Sequence, residues 1–296
     1  MAFVKRAAKL VRELELEDFK VLLALEKSLP SYEVVPMNVL LKNSRLSKKE
    51  LSHRTDRLSK MKLISKSKVG FILQTIGLDL LALNALARKD IVVALGKAIG
   101  VGKESDLYEG LGKEKERFAV KFFRISRTSF RDTKRKRDYA ILENQHHWMI
   151  VNMNAAKKEF NVLRKLKVFD LNVPKPIARD RHVVVMELID GIRLSEFPKL
   201  KNPKNMLYSL FKDLRISYCD AKVVNADLSE FNVLYNGSKL WIIDWPQAIS
   251  SNHPNAKDLL KRDIENMIKF FRRKYKVKFD VDCVFSFVCG LSNTLK

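Results

Sequence analysis

Two neighbouring stretches decide how this chain reads: Val223-Val224-Asn225-Ala226-Asp227-Leu228-Ser229-Glu230-Phe231-Asn232-Val233-Leu234, and then Leu240-Trp241-Ile242-Ile243-Asp244-Trp245-Pro246-Gln247. An aspartate is followed five positions later by an asparagine and a short apolar strand. A polar turn leads to a second strand that runs into another aspartate. Mg²⁺-assisted phosphoryl transfer requires this set of oxygens: one carboxylate to orient the acceptor, and an amide oxygen with a second carboxylate to hold the metal against the phosphates. A carboxylate at the end of an apolar strand is costly to bury unless a cation or hydrogen bonds meet it. Either half alone also reads as a hairpin with acidic turn residues. The pairing at this spacing makes Asp227, Asn232 and Asp244 candidates for one site.

Upstream, Gly100-Val101-Gly102-Lys103-Glu104-Ser105-Asp106 reads as a turn between two strands. Alone, a G-x-G is a weak signal. Here it precedes Arg117-Phe118-Ala119-Val120-Lys121-Phe122, an apolar strand holding one lysine. Kinase folds place a phosphate-binding lysine on such a strand after a glycine loop. The expected partner is a glutamate on the next core helix, and Glu159 is available. It lies beside the stripe of Ala156, Phe160 and Leu163, where it also reads as a solvated helical residue. Val183 to Gly191 is a strand opening into a turn; in a kinase order it links two lobes. Met186 would then line the back of an adenine pocket, with Glu187 and Ile189 on the segment whose backbone receives the base.

The N-terminal third predicts helices over Glu17–Leu29, Pro36–Leu41 and about Lys48–Lys60, the last opened by a Ser47-x-x-Glu50 capping box. A basic turn joins two short strands over Lys62–Lys66 and Gly70–Leu73. Three helices followed by a hairpin is the winged helix-turn-helix order, with the third helix as nucleic-acid reader. That helix carries Lys48, Lys49, Arg54 and Arg57. A further helix starts at Gly77 and runs through Arg88 without a flexible linker, so the parts are expected to pack together.

Composition sets the outer bounds. The 296 residues are 46% hydrophobic, enough for a core divided between two domains. The formal charge is +23, from 57 Lys+Arg against 34 Asp+Glu, which favours polyanionic partners. No apolar run approaches the roughly 20 residues that span a bilayer. Three cysteines without a C-x-x-C pair suit a reduced cytosol, so a cytoplasmic protein with no membrane contact is expected.

These motifs together resemble the RIO atypical kinases, in particular the type 2 subfamily with an N-terminal winged helix. The resemblance is carried by Gly70-Phe71-x-Leu73, Gly77-x-Asp79-x-Leu81-Ala82-Leu83, the Gly100–Asp106 block, Arg127–Arg131, Lys136–Tyr139, Glu230-Phe231-Asn232 and Ile243–Gln247. It implies an α+β fold: a winged helix-turn-helix domain over 1–84, then a minimal two-lobed protein-kinase-like domain over 85–296, its N-lobe about 85–187 and its C-lobe about 188–296. It implies ATP and Mg²⁺ as cofactors. Lys121 would bind the phosphates with Glu159 orienting it, and Ser105 would touch phosphate. Asp227 would be the catalytic aspartate, with Asn232 and Asp244 as metal ligands and Asp244 as phosphoryl acceptor. Arg131, Lys134, Arg135 and Lys136 would belong to a basic loop suited to polyanion contact.

The family usually has His-Gly ahead of its catalytic aspartate; this chain has Asn225-Ala226. Glycine tolerates backbone conformations that alanine resists, while Asn225 can supply part of the histidine's bracing. The resemblance further implies an ATPase-like kinase acting on the maturing small ribosomal subunit and its RNA, with no other small-molecule substrate. The short stretch after Asp244 offers little room for a peptide platform. A winged-helix nucleic-acid regulator with a weakly active, nucleotide-sensing domain is the alternative. A small-molecule kinase of the aminoglycoside phosphotransferase type would share the acidic set but explains neither the winged helix nor the basic loop.

Overall fold

The computed structural model describes residues 3–125 and 148–295. The chain begins with four helices: α1 Phe3–Leu10, α2 Leu16–Ser28, α3 Met37–Ser44 and α4 Lys48–Lys60. The hairpin β1 Ile64–Lys66 and β2 Phe71–Leu73 follows, then α5 Thr75–Arg88. This is the expected winged helix with one more helix, α1, in front. Ser47 caps α4 by accepting the Glu50 N–H at 3.2 Å, but the Glu50 carboxylate turns to Arg54 Nε at 2.6 Å instead of completing the box. The wing is pinned from its far side, because Val35 and Phe71 exchange N–H···O bonds of 2.8 and 2.9 Å. Gly70 permits this close approach: a Cβ there would sit 2.2 Å from the Val35 carbonyl oxygen.

Three strands come next: β3 Ala94–Val101, β4 Ser105–Leu111 and β5 Arg117–Phe123. Helix α6 spans Trp148–Lys167, and β6 Pro176–Asp180 and β7 Val183–Glu187 complete a five-stranded sheet ordered β3-β4-β5-β7-β6. The chain continues as β8 Ile192–Arg193, α7 Pro203–Cys219, β9 Val223–Val224, β10 Val233–Tyr235, β11 Leu240–Ile242, β12 Ile249–Ser250, α8 Ala256–Tyr275 and α9 Val281–Val288.

The chain forms two compact units. One comprises residues 1–157 with 178–185; the other comprises 158–177 with 186–296. In the first, a single buried cluster joins winged-helix residues Leu22, Leu25, Leu40, Leu58 and Leu80 to the sheet residues Tyr108, Val120, Phe122, Val183 and Val185. The winged helix thus shares its core with the strands that follow, as the missing linker suggested. In the second unit, β10 lies between β11 and β8, and β9 pairs with β12. Among the described residues no helix is long and apolar enough to cross a membrane.

Candidate phosphoryl-transfer site

The acidic segments of the second unit are held by two strand pairs. Val224 lies opposite Ile249 in the β9–β12 pair, and Val233 lies opposite Ile242 in the β10–β11 hairpin. Residues 225–232 and 243–248 are therefore two connectors anchored at both ends, and they carry Asp227, Asn232 and Asp244.

Side chains lace the connectors together. Asn225, 2% exposed, donates from Nδ2 to the Asp244 carbonyl oxygen at 2.7 Å and accepts the Asp227 N–H at 3.1 Å through Oδ1. One amide thus sets both aspartates. Asn232 donates from Nδ2 to the Asp227 carbonyl at 2.9 Å, and its own carbonyl accepts the Ile243 N–H at 3.0 Å. With its amide nitrogen engaged, Asn232 would meet a cation through Oδ1. Glu159 is fully buried rather than solvated, and its carboxylate accepts the Trp245 N–H at 3.1 Å, next to Asp244.

Asp263, on α8, was not anticipated from the sequence. Its two carboxylate oxygens accept the Ala226 N–H at 2.8 Å and the Leu228 N–H at 3.1 Å, gripping the backbone on either side of Asp227. Burial pushes this carboxyl up to about 7, against the opposing pull of the two amides and Arg262. The available signal was its position on the apolar stripe of Leu260, Ile264, Met267 and Phe271, where an aspartate needs a partner. Asn266 adds a bond from Nδ2 to the Leu228 carbonyl at 3.2 Å.

This frame explains the Asn225-Ala226 departure. Ala226 sits at φ 63°, the left-handed region that favours glycine. Alanine there costs roughly 1–2 kcal/mol, and the two Asp263 bonds hold it in place. Asn225 braces the loop from the position where histidine is usual.

The second unit also holds Met186, Glu187 and Ile189. Met186 is buried, and the Glu187 N–H bonds the Lys175 carbonyl at 2.8 Å, so it is occupied within the protein. The chain leaves the sheet after Glu187, and Ile189 is half-buried beyond it.

In the first unit, the glycine turn runs from β3 to β4, closed by the Gly102 N–H on the Ser105 carbonyl at 2.9 Å. Lys121 sits on β5 opposite Leu107, and Ser105 sits opposite Phe123, so the two candidate phosphate groups lie on adjacent strands. Lys121 is 7% exposed, with Nζ 4.9 Å from the centre of the Phe123 ring.

The nucleic-acid candidates divide. Lys48 and Lys49 are exposed. Arg54 and Arg57, by contrast, are spent on the acidic N-terminus of α2. Arg54 reaches Glu15 at 2.8 Å and Glu50 at 2.6 Å, while Arg57 reaches Glu15 at 2.7 Å, Asp18 at 2.8 Å and the Glu13 carbonyl at 2.8 Å. These two guanidiniums hold α4 to α2. Arg131, Lys134, Arg135 and Lys136 lie outside the described residues.

Comparison with known proteins agrees with this architecture. The family model described as RIO domain matches residues 106–284, and that described as Rio2, N-terminal, matches residues 11–89. The chain belongs to the RIO kinase family. Its N-terminal domain makes it a RIO-type kinase of the Rio2 kind. It is 35% identical over 271 residues to the RIO-type serine/threonine-protein kinase Rio2 of Methanocaldococcus jannaschii, covering 87% of this chain and 98% of that protein. It is 33% identical over 279 residues to the serine/threonine-protein kinase rio2 of Schizosaccharomyces pombe, covering 92% and 80%. Its fold matches the Rio2 kinase of Chaetomium thermophilum, solved as an ADP/Mg²⁺-phosphoaspartate complex, with a TM-score of 0.81 at 29% identity over 97% of this chain and 94% of that one.

Proposed function

We propose that this RIO kinase binds ATP with Mg²⁺ and transfers the γ-phosphoryl group to its own Asp244, then hydrolyses the acyl phosphate. The observation that carries this reading is the frame in which Asn225 and Asn232 bond the Asp227 and Asp244 backbones while Asp263 and Glu159 hold the residues beside them. The Chaetomium relative, solved with a phosphoaspartate, supports it. One amide oxygen and one carboxylate form a hard-oxygen donor set too small to enclose a cation, which fits Mg²⁺ sharing its shell with phosphates and water. Asn232 and Asp244 would hold that ion, which supplies charge neutralisation on the phosphate oxygens. Lys121 and Ser105 engage the phosphates.

An Asp244 carboxylate oxygen attacks the γ-phosphorus as the bond to the bridging β–γ oxygen breaks, and ADP leaves with that electron pair. Asp227 then takes a proton from the attacking water, phosphate departs and the Asp244 carboxylate is restored. Within the second unit, the main-chain bonds that hold the Asp227 and Asp244 connectors are already made. The test is incubation with labelled ATP, acid quench and hydroxylamine treatment. Label that hydroxylamine removes, that is absent in Asp244→Asn and that falls in Lys121→Ala is the expected result. Hydroxylamine-resistant label on Ser or Thr would restore an ordinary protein-kinase reading.

We further infer that the partner is the maturing small ribosomal subunit and its RNA. The charge of +23 and the exposed Lys48 and Lys49 support a polyanionic partner. Nucleotide-sensitive co-sedimentation with small-subunit precursors is expected. Sequence-specific binding to short duplex DNA would instead favour a winged-helix regulator.

A further inference from the structure

Four titratable side chains from distant parts of the first unit meet in a small buried cluster. Arg124, the residue after β5, sits at its centre. Its Nη1 and Nη2 fork onto the two carboxylate oxygens of Asp79 on α5, at 2.8 and 2.9 Å. Its Nε donates to Asp106 on β4 at 2.9 Å. Fully buried His182, in the β6–β7 turn, places Nε2 at 2.8 Å from Asp79 Oδ1. Burial pushes this imidazole down, and a 2.8 Å contact with a carboxylate oxygen requires hydrogen on Nε2. Its 3.2 Å approach to Arg124 Nη1 is then donor to donor, not a hydrogen bond. Asp79 is thus the anchor that aims the guanidinium.

The glycine turn is at the other end of that guanidinium. The Arg124 main-chain N–H donates to the Glu104 carbonyl at 2.6 Å while its side chain holds Asp106. One residue thereby fixes both neighbours of Ser105. The next residue is fixed as well, since the Ile125 N–H donates to Asn152 Oδ1 at 2.7 Å. A purely structural role for Arg124 would be satisfied by Asp79 alone. Asp106, with a side chain 17% exposed, could reach water. Its capture links the turn to α5, an element of the winged-helix domain.

We propose that Arg124 is a positioning residue for the phosphate-binding turn, aimed by Asp79, so that a side chain of the winged-helix domain sets the affinity for the nucleotide's phosphates. This rests on the nucleotide reading above. Interlocked bidentate pairs have defined geometries and do not deform continuously, which suits them to transmit position.

The test is equilibrium binding of ATP, and of adenosine by competition, to the full chain with Asp79→Asn, Asp106→Asn, Arg124→Lys and the double variant Asp79→Asn/Asp106→Asn. Each single variant should weaken ATP about tenfold, within the usual span for coupled sites, and leave adenosine within twofold. The double variant should bind ATP no more weakly than the worse single one, because both act through the same guanidinium. ATP affinity within twofold of wild type in the folded variants would overturn the proposal. So would equal losses for ATP and adenosine, or logarithmic effects that add. If Asp79→Asn does not fold, Asp106→Asn and Arg124→Lys decide, since neither leaves Asp79 without a cation. Lys121→Ala is the control. A wild type that binds no ATP defeats the nucleotide reading, whereas a Lys121 effect without an Arg124 effect defeats only this proposal.

Discussion

Asn225 offers the sharpest test of the site, because one buried amide holds both aspartates. Replacing it with Ala removes the 2.7 Å bond to the Asp244 carbonyl and the 3.1 Å bond from the Asp227 N–H. A buried group left without its partner costs about 1–3 kcal/mol. If about 2 kcal/mol of that falls on the transition state, the rate drops roughly 30-fold at about 1.36 kcal/mol per tenfold. Asn225→Asp separates the two bonds. The carboxylate still accepts the Asp227 N–H, but its second oxygen now faces the Asp244 carbonyl where a donor stood. It also adds a negative charge beside two aspartates. The expected order of phosphoenzyme formation is wild type, then Asn225→Ala, then Asn225→Asp, with the Mg²⁺ requirement of the Asp variant also shifted by the added charge. Single-turnover acid-quench kinetics across a Mg²⁺ series measure this, and a denaturant titration confirms that each variant is folded. An Asn225→Asp protein that matches wild type in rate and Mg²⁺ requirement would show that the bond to Asp244 does not position the site.

Two further outcomes follow from the same geometry. Asp263 has its folded-state pKa raised from the ordinary 3.8 to about 7, so its contribution to stability is fully present below about 3.8 and is lost as pH rises through about 7. The stability margin of wild type over Asp263→Asn should therefore shrink between pH 4 and 7, by roughly 1 kcal/mol per unit; denaturation midpoints at four pH values test it, and a margin that stays level would contradict the burial argument. On the winged helix, Lys48→Ala with Lys49→Ala should lower the log–log salt slope of RNA binding by about 0.7–0.9 for each phosphate no longer neutralised. Arg57→Ala should leave the slope unchanged, because its guanidinium is already held by Glu15 and Asp18; the reverse pattern would place the reading face on the wrong side of α4.

The contrast between Arg57 and Lys48 marks what could be read from the chain alone. Features decided by neighbours in sequence were legible. The Ser47 cap starts α4, the glycines admit the wing, and a five-residue spacing puts Asp227 and Asn232 on one connector. Helix α1 was missed although Val4, Ala7, Ala8 and Leu10 share one face at helical spacing, because the stretch is only eight residues long and interrupted by Lys5, Arg6 and Lys9. Other misreadings involve partners far along the chain. Arg57 and Asp18 are 39 positions apart, and Asp263 and Ala226 are 37 apart. Nothing local in Lys48-Lys49-x-x-x-x-Arg54-x-x-Arg57 distinguishes a cation that faces solvent from one that clamps two helices. A basic composition predicts the sign of the partner through the long-range field. It cannot assign the contact, because each ion pair formed inside the fold removes a candidate from the surface. For the same reason Glu159, ambiguous beside its apolar stripe, became legible only when the Trp245 amide arrived from 86 residues away to occupy it.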